Sequence, residues 1–166
     1  MNYIFKLLKA LNSNQAPWQI SLAFVLGMIL GFLPFFNFFS FFVIVLAFVI
    51  NINISMFILS SGVFATIGLL LDPVFDKVGY AILTFEPLIP LWTFLYNIPY
   101  VQWTGYNNTV VMGSLAISLL LAVPIFFITN RLIIKYREKL AWIFDRIPIL
   151  RGFKIFKFLE TFKGQE

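Results

Sequence analysis

Residues 31–39 read GFLPFFNFF, a run of five phenylalanines broken by one proline and one asparagine. Proline lacks a backbone N–H, and its ring ends or kinks a helix. A stretch this apolar would promote aggregation if it were exposed to water. It therefore predicts a turn between two helices in an apolar environment, with Pro34 at the break and Asn37 as the polar side chain beside it.

The composition of the chain identifies that environment as a lipid bilayer. Of its 166 residues, 61% are hydrophobic and 11% are charged, whereas soluble domains carry about 25% charged residues. Residues 10–71 and 87–130 contain no Asp, Glu, Lys or Arg, and roughly 20 apolar residues suffice to span a bilayer as a helix. We predict an all-α polytopic membrane protein.

Prolines, polar breaks and charges divide the chain into three parts. Residues 1–14 form a predicted amphipathic arm, residues 15–130 a membrane domain, and residues 131–166 a basic amphipathic tail. Asp72 and Pro73 are typical of a helix start, because Asp caps helices and Pro is favoured in their first turn. Within the membrane domain we predict apolar segments at 17–33, 35–50 and 54–71, an interfacial or broken segment at 85–106, and a span at 109–129.

Basic residues are concentrated at the two ends of the chain. Lys6 and Lys9 lie in the N-terminal arm, and basic residues outnumber acidic ones in the tail. The connection at residues 72–86, in contrast, holds three acids and one lysine. The positive-inside rule then places both termini in the cytoplasm, so the number of crossings is even.

Both ends also have the pattern of amphipathic cytoplasmic helices that lie on an anionic leaflet. Basic residues that alternate with aromatic ones can bind nucleic acid as well. Beside a membrane span we favour the lipid surface and expect no nucleic acid. The basic residues predicted to contact the leaflet are Arg131, Lys135, Arg146, Arg151, Lys154 and Lys157.

The two apolar segments that flank Pro34 are short for full crossings. Each would be roughly 25 Å long at 1.5 Å per residue, against ~30 Å of hydrocarbon core. They form either two tight crossings or a re-entrant hairpin, which we favour. Proline frees a backbone carbonyl, and the Asn37 amide is the predicted partner for it. The candidate functional positions at kinks and polar breaks are Pro34, Asn37, Asn51 and Asn53.

Small residues recur at every fourth position in two of the segments. This spacing lets membrane helices approach each other closely. We favour packing within one chain, and the alternative is a homo- or hetero-oligomer interface. The predicted helix-packing residues are Ala23, Gly27, Gly31, Ser114, Ser118 and Ala122.

Residues suited to catalysis or metal binding are scarce. The chain has no histidine and no cysteine, which removes the commonest general base, the usual zinc ligands and thiol nucleophiles. Asp72 and Asp76 would share a helix face and could bind a cation, but a helix cap and a solvated face explain them more simply. We expect no enzyme activity, no catalytic residue, no metal and no cofactor.

Three segments taken together resemble a known family. They read ALNSNQAPWQISLAFVLGMILGFLP, LLDPVFDKVGYAILTFEPLIPLWTFLYNIP and NNTVVMGS. Their proline and tryptophan spacing is similar to that of a subfamily of similar length in domain of unknown function 2062. The wider group carries glycine and glutamine after the proline, where this chain has Asn37 and Phe39. The resemblance implies a bacterial inner-membrane location, no assigned activity and a larger envelope protein as partner.

Three functions are compatible with these features. We favour a non-enzymatic membrane module that acts with an envelope partner in lipid transport or organisation. The first alternative is a structural anchor or assembly factor of an envelope complex. The second is a small transporter of an apolar or neutral solute. The expected partners are a phospholipid bilayer with an anionic cytoplasmic leaflet and the envelope protein, with a homo-oligomer as a further alternative.

Overall fold

The computed structural model describes residues 15–146, so the predicted arm at residues 1–14 and the tail beyond residue 146 lie outside the described part of the chain. Within residues 15–146 the structure contains α-helices and short 3-10 turns but no strand, which confirms the all-α prediction. The helices are α1 (Pro17–Phe32), α2 (Phe38–Val49), α3 (Ile54–Leu83), α4 (Ile89–Tyr96) and α5 (Thr109–Arg146).

Helices α1, α3 and α5 form the core, with α1 at its centre. Ten of the 16 residues of α1 are buried, including Ile20 and Met28. Helix α3 runs parallel to α1, because Gly27 lies against Ser60 and Gly31 lies one turn further on against Ala65. Helix α5 runs antiparallel to α3, because Gly79 lies against Thr109 and Phe75 against Gly113. Helix α2 packs at the edge of the core, mainly on α1.

Glycines bring the backbones of the core helices into direct contact. A Cβ atom on Gly79 would lie 1.8 Å from the Thr109 carbonyl oxygen, and one on Gly113 would lie 1.9 Å from the Phe75 carbonyl oxygen. A Cβ atom on Gly27 would lie 1.8 Å from the Ser60 hydroxyl oxygen at the α1–α3 crossing. Small residues thus permit the close helix approach that is typical of membrane interfaces.

Helix α3 continues through the Asp72-Pro73 dipeptide, so the predicted helix start at Asp72 is wrong. Proline costs the helix one hydrogen bond, but the next turns are held by tertiary packing. Phe75 is fully buried, and Gly79 lies directly against the first turn of α5. Packing against a neighbouring helix is what allows membrane helices to contain proline.

Helix α5 also continues past the predicted end of its apolar span. It is one helix from Thr109 to Arg146, with Pro124 inside it and no break at residue 130. The Arg137 guanidinium donates a hydrogen bond to the Gln15 carbonyl at 3.0 Å. Residue 15 and the later part of α5 therefore lie at the same end of the bundle.

Two helices are long and apolar enough to cross a membrane, by length and composition. They are Ile54–Leu83 and Thr109–Lys139, and the most apolar window of each is only 22% buried in the fold. A core helix of a soluble protein can be equally apolar, but it would be mostly buried. The exposed apolar faces of these two helices indicate membrane association.

We expect Gly79→Ala to destabilise the fold, because the Thr109 carbonyl cannot move aside unless α3 and α5 separate. Overpacking of this kind costs roughly 1–3 kcal/mol. The matched control is Gly62→Ala in the same helix, where the new Cβ would have no atom within 4 Å. Alanine should leave stability there unchanged or raise it, since it favours helix more than glycine does. Equal thermal midpoints in mild detergent would contradict the prediction.

Candidate functional site

The turn at Pro34 separates α1 from α2. Helix α1 ends at its cap residue Leu33, whose N–H donates to the Ile29 carbonyl at 3.2 Å. Helix α2 begins after Asn37, whose side-chain oxygen accepts a hydrogen bond from the Ser40 N–H at 2.9 Å. Asparagine is among the best N-cap residues, so the sequence provides both the stop and the new start.

The Pro34 carbonyl is satisfied inside the turn. It accepts a hydrogen bond from the Asn37 amide and another, at 2.8 Å, from the hydroxyl of Ser40, which is fully buried. The sequence predicts that Asn37 binds a carbonyl released by the proline, and in the structure that carbonyl is the proline's own. The turn therefore pairs this carbonyl without water, as an apolar environment requires.

Aromatic side chains surround this turn on the outside. Phe36 is 96% exposed at the tip, and Phe35, Phe38, Phe41 and Phe42 are also exposed. A loop that projected into water would not normally carry so many uncovered phenyl rings, because burial of each ring is worth about 1.5–3 kcal/mol. These rings form a surface suited to hydrocarbon.

An apolar groove lies beside the turn, because α1 stops at residue 32 whereas α3 continues to residue 83. We call it the hairpin groove. Its volume is about 420 Å³, within the range of small-molecule sites. Leu30 and Leu33 form its buried wall, and the exposed residues Phe35 and Leu69 flank its mouth. Gly62 and Ala65 of α3 also line it.

Asp72 lines the hairpin groove and is half-buried, whereas Asp76, one turn further along α3, is exposed. Asp76 accepts a hydrogen bond from the Thr109 hydroxyl, so it joins α3 to the first turn of α5. The two carboxylates therefore have different surroundings, although they are only four residues apart.

The candidate positions Asn51 and Asn53 lie near the start of α1, at the opposite end of that helix from Pro34 and Asn37. The Asn53 side-chain oxygen caps α3 by accepting from the Met56 N–H at 2.9 Å. The main-chain carbonyl of Asn51 accepts from the Gln19 amide at 2.8 Å. The four predicted kink and polar positions thus form two separate groups.

Sequence reasoning missed the glutamines and the arginine of this second group. The Gln15 side-chain amide donates to the Ile52 carbonyl at 3.3 Å. The main-chain carbonyl of Gln15 accepts from the Arg137 guanidinium. Gln19 stands three residues after the cap position Ala16 and accepts from its N–H at 2.8 Å, which is one half of a capping box; alanine has no side chain to supply the other half, so the usual sequence signature is absent. Arg137 is 122 residues away from Gln15, and no local pattern indicates that contact.

The predicted helix-packing residues lie inside the bundle. Ala23, Ser114 and Ser118 are fully buried, and Ala122 is partly buried against the core. Gly27 and Gly31 meet α3, as described above. All of these contacts are made within one chain.

Of the basic residues predicted to contact the leaflet, Arg131 and Lys135 are exposed on α5. The side chain of Arg146 is not among those described. Residues 151, 154 and 157 lie outside the described part of the chain.

The segment at residues 85–106 is broken into two 3-10 turns around the short helix α4. The Trp92 indole N–H donates to the Ile82 carbonyl at 3.2 Å, and the Tyr106 hydroxyl donates to the Trp92 carbonyl at 3.1 Å. The segment is thereby fixed to the end of α3. Trp103 is 80% exposed on the second turn, which contacts α2.

We expect Asn37→Ala to destabilise the protein by roughly 1–3 kcal/mol, because it removes the cap of α2 and one donor to the Pro34 carbonyl. The control is Asn51→Ala, which makes the same chemical change but retains the main-chain carbonyl that Gln19 binds. Thermal unfolding in detergent and hydrogen exchange at the Ser40 amide would report the difference. Equal midpoints and equal exchange in the two variants would refute the proposed role of the cap.

The chain is similar to proteins conserved in bacteria. A relative from Treponema pallidum (strain Nichols), named "Uncharacterized protein", is 26% identical over 137 residues, which cover 82% of this chain and 85% of the relative. No solved structure is significantly similar to the chain.

The family comparison confirms the resemblance seen in the sequence. The family DUF2062, described as "Uncharacterized protein conserved in bacteria", matches residues 3–141. This range contains the Pro34 turn, the hairpin groove and the whole of α3. The chain therefore belongs to the DUF2062 family.

Proposed function

We propose that this protein is a non-enzymatic module of the bacterial inner membrane that binds phospholipid in the hairpin groove. It would act with a larger envelope protein to move or organise lipid. The observation that carries the proposal is the groove itself, an apolar cleft of about 420 Å³ with exposed residues at its mouth. In a bilayer, that mouth would face acyl chains directly.

The position of the Pro34 turn supports a re-entrant hairpin. Gly31, near the end of α1, lies against Gly68 of α3, and α3 continues for fifteen residues beyond Gly68, or roughly 22 Å. Helix α2 has only 12 residues, or roughly 18 Å, which is short of the ~30 Å hydrocarbon core. A tip within the bilayer would also cover the exposed phenylalanines with lipid.

The chemistry of the groove supports binding rather than catalysis. Among its lining residues, all within the described range, Asp72 is the one ionisable group. The chain has no histidine or cysteine to act as base or nucleophile. A lone carboxylate beside an apolar cleft suits recognition of an amphiphile.

Both ends of the described chain support a cytoplasmic orientation of the termini. Gln15 and Arg137 meet at one end of the bundle, where exposed Arg131 and Lys135 also lie on α5. By the positive-inside rule this end faces the cytoplasm. The 85–106 segment, with Trp103 exposed, would then be available to an envelope partner on the other side.

Photo-crosslinking tests the lipid proposal directly. A phospholipid with a photoreactive group on one acyl chain should label peptides that contain residues 30–35 or 61–72. Gly62→Phe should reduce this labelling to background, because the added ring would point into a groove where Gly62 has open space. Val63→Phe, at an exposed neighbouring position outside the groove lining, is the control. Unchanged labelling in Gly62→Phe would refute the proposal.

Thiol labelling tests the hairpin, since the chain has no native cysteine. In intact cells a membrane-impermeant maleimide should label Glu86→Cys, at an exposed position in the turn after α3. It should label Lys139→Cys only after permeabilisation. Phe36→Cys, at the tip, should stay unlabelled in both conditions because lipid covers it. Ready labelling of Phe36→Cys from outside would mean that α1 and α2 are two crossings.

A further inference from the structure

We infer that the hairpin groove selects phospholipids with a primary amine in the headgroup, with an acyl chain along α3 and the ammonium group at Asp72. This inference rests on the proposed function, since it names the class of lipid that the groove takes. The occupant is thus a lipid of the phosphatidylethanolamine type.

The apolar part of the groove has the form of a slot for a chain. Its lining on α3 extends from Ser61 to Asp72, a stretch of twelve residues whose ends are roughly 16 Å apart along the helix. Ser61 does not make the inner end polar, because its hydroxyl donates to the Ile58 carbonyl at 2.9 Å. Gly62 and Ala65 are small, so they leave space for a chain along α3. Leu33 provides a buried apolar wall.

The polar end of the groove has a carboxylate and no basic group. Asp72 is the one ionisable residue of the lining, and an ionised carboxylate accepts hydrogen bonds but cannot donate them. A primary ammonium group offers three N–H donors and the opposite charge. A choline headgroup offers no N–H, and a glycerol headgroup leaves the lipid with a net negative charge that Asp72 repels. Hydrogen bonding therefore favours the amine headgroup over choline, and charge favours it over glycerol.

The groove also orients the bound lipid. Asp72 lies on the side of α3 that leads to Leu83 and α4, whereas Ser61 lies nearer the end occupied by Gln15 and Arg137. The headgroup would consequently face the same side as the 85–106 segment. With cytoplasmic termini, the lipid would come from the outer leaflet, and its headgroup would be drawn to the depth of the hairpin tip, because Pro34 and Phe35 line the same groove.

Lipid competition tests the inference. The full-length protein in mild detergent would be incubated with equal amounts of phosphatidylethanolamine, phosphatidylcholine and phosphatidylglycerol, and the lipids that co-purify with it would be quantified by native mass spectrometry. We expect phosphatidylethanolamine to be enriched at least roughly fivefold, as one charge-assisted hydrogen bond allows. Asp72→Asn should lose the enrichment and Asp72→Glu should retain it.

Glu86→Gln is the control, since it also removes one carboxylate but lies on an exposed turn outside the groove lining. It should keep the enrichment. The inference is overturned if wild-type protein retains the three lipids in their supplied ratio, or if Glu86→Gln loses the preference as fully as Asp72→Asn does. Gly62→Phe separates the two proposals, because it should abolish retention of every lipid. Retention that Gly62→Phe leaves intact would refute the proposed function itself.

Discussion

A main-chain carbonyl without a partner is costly in an apolar environment, and the fold depends on how this cost is avoided at Pro34. The Asn37 amide and the Ser40 hydroxyl both donate to the Pro34 carbonyl. The turn therefore satisfies this carbonyl without water or another helix. Helix α1 can stop there while α3 continues beside it, and the difference in their lengths leaves the hairpin groove open.

Packing of the core combines close backbone approach at glycines with buried apolar side chains such as Met28 and Phe75. Lipid tails are as apolar as leucine, so a bilayer offers little hydrophobic reward for bringing two leucine-rich helices together. Gly27 and Gly31 let α1 approach α3, and Gly79 and Gly113 let α3 approach α5. Dispersion contacts over these surfaces can then hold the bundle. Some aromatic side chains fill the core, as Phe75 does, whereas others such as Phe36 are exposed on the outside.

The features that depend on local composition could be predicted from the sequence. The all-α class follows from long uncharged segments, and the turn follows from a proline next to a residue that caps helices well. The course of α3 through Pro73 could not be predicted, because the same dipeptide is typical of a helix start. The helix is held together beyond Pro73 by the contact of Gly79 with Thr109, which is distant in the sequence.

The hairpin groove and the Gln15–Arg137 contact also could not be predicted from local sequence patterns. The groove exists because α1 and α3 run parallel and end at different heights, which no single segment encodes. Gln15 and Arg137 are separated by 122 residues, and arginine in a basic tail is more often solvated than paired. Such features emerge only when the helices are assembled.

The central position of α1 determines when the core can form during synthesis. Helices α3 and α5 cover α1, and both are made after it. With 16 residues, α1 is shorter than the roughly 20 needed to span a bilayer alone. The contacts of Gly27 and Gly31 can form only after α3 has been synthesised. The hydrogen bond to the Gln15 carbonyl can form only after Arg137 has left the ribosome. An incomplete chain without α5 would leave the α5-facing side of α1 uncovered, and cellular proteases could distinguish it from the finished protein.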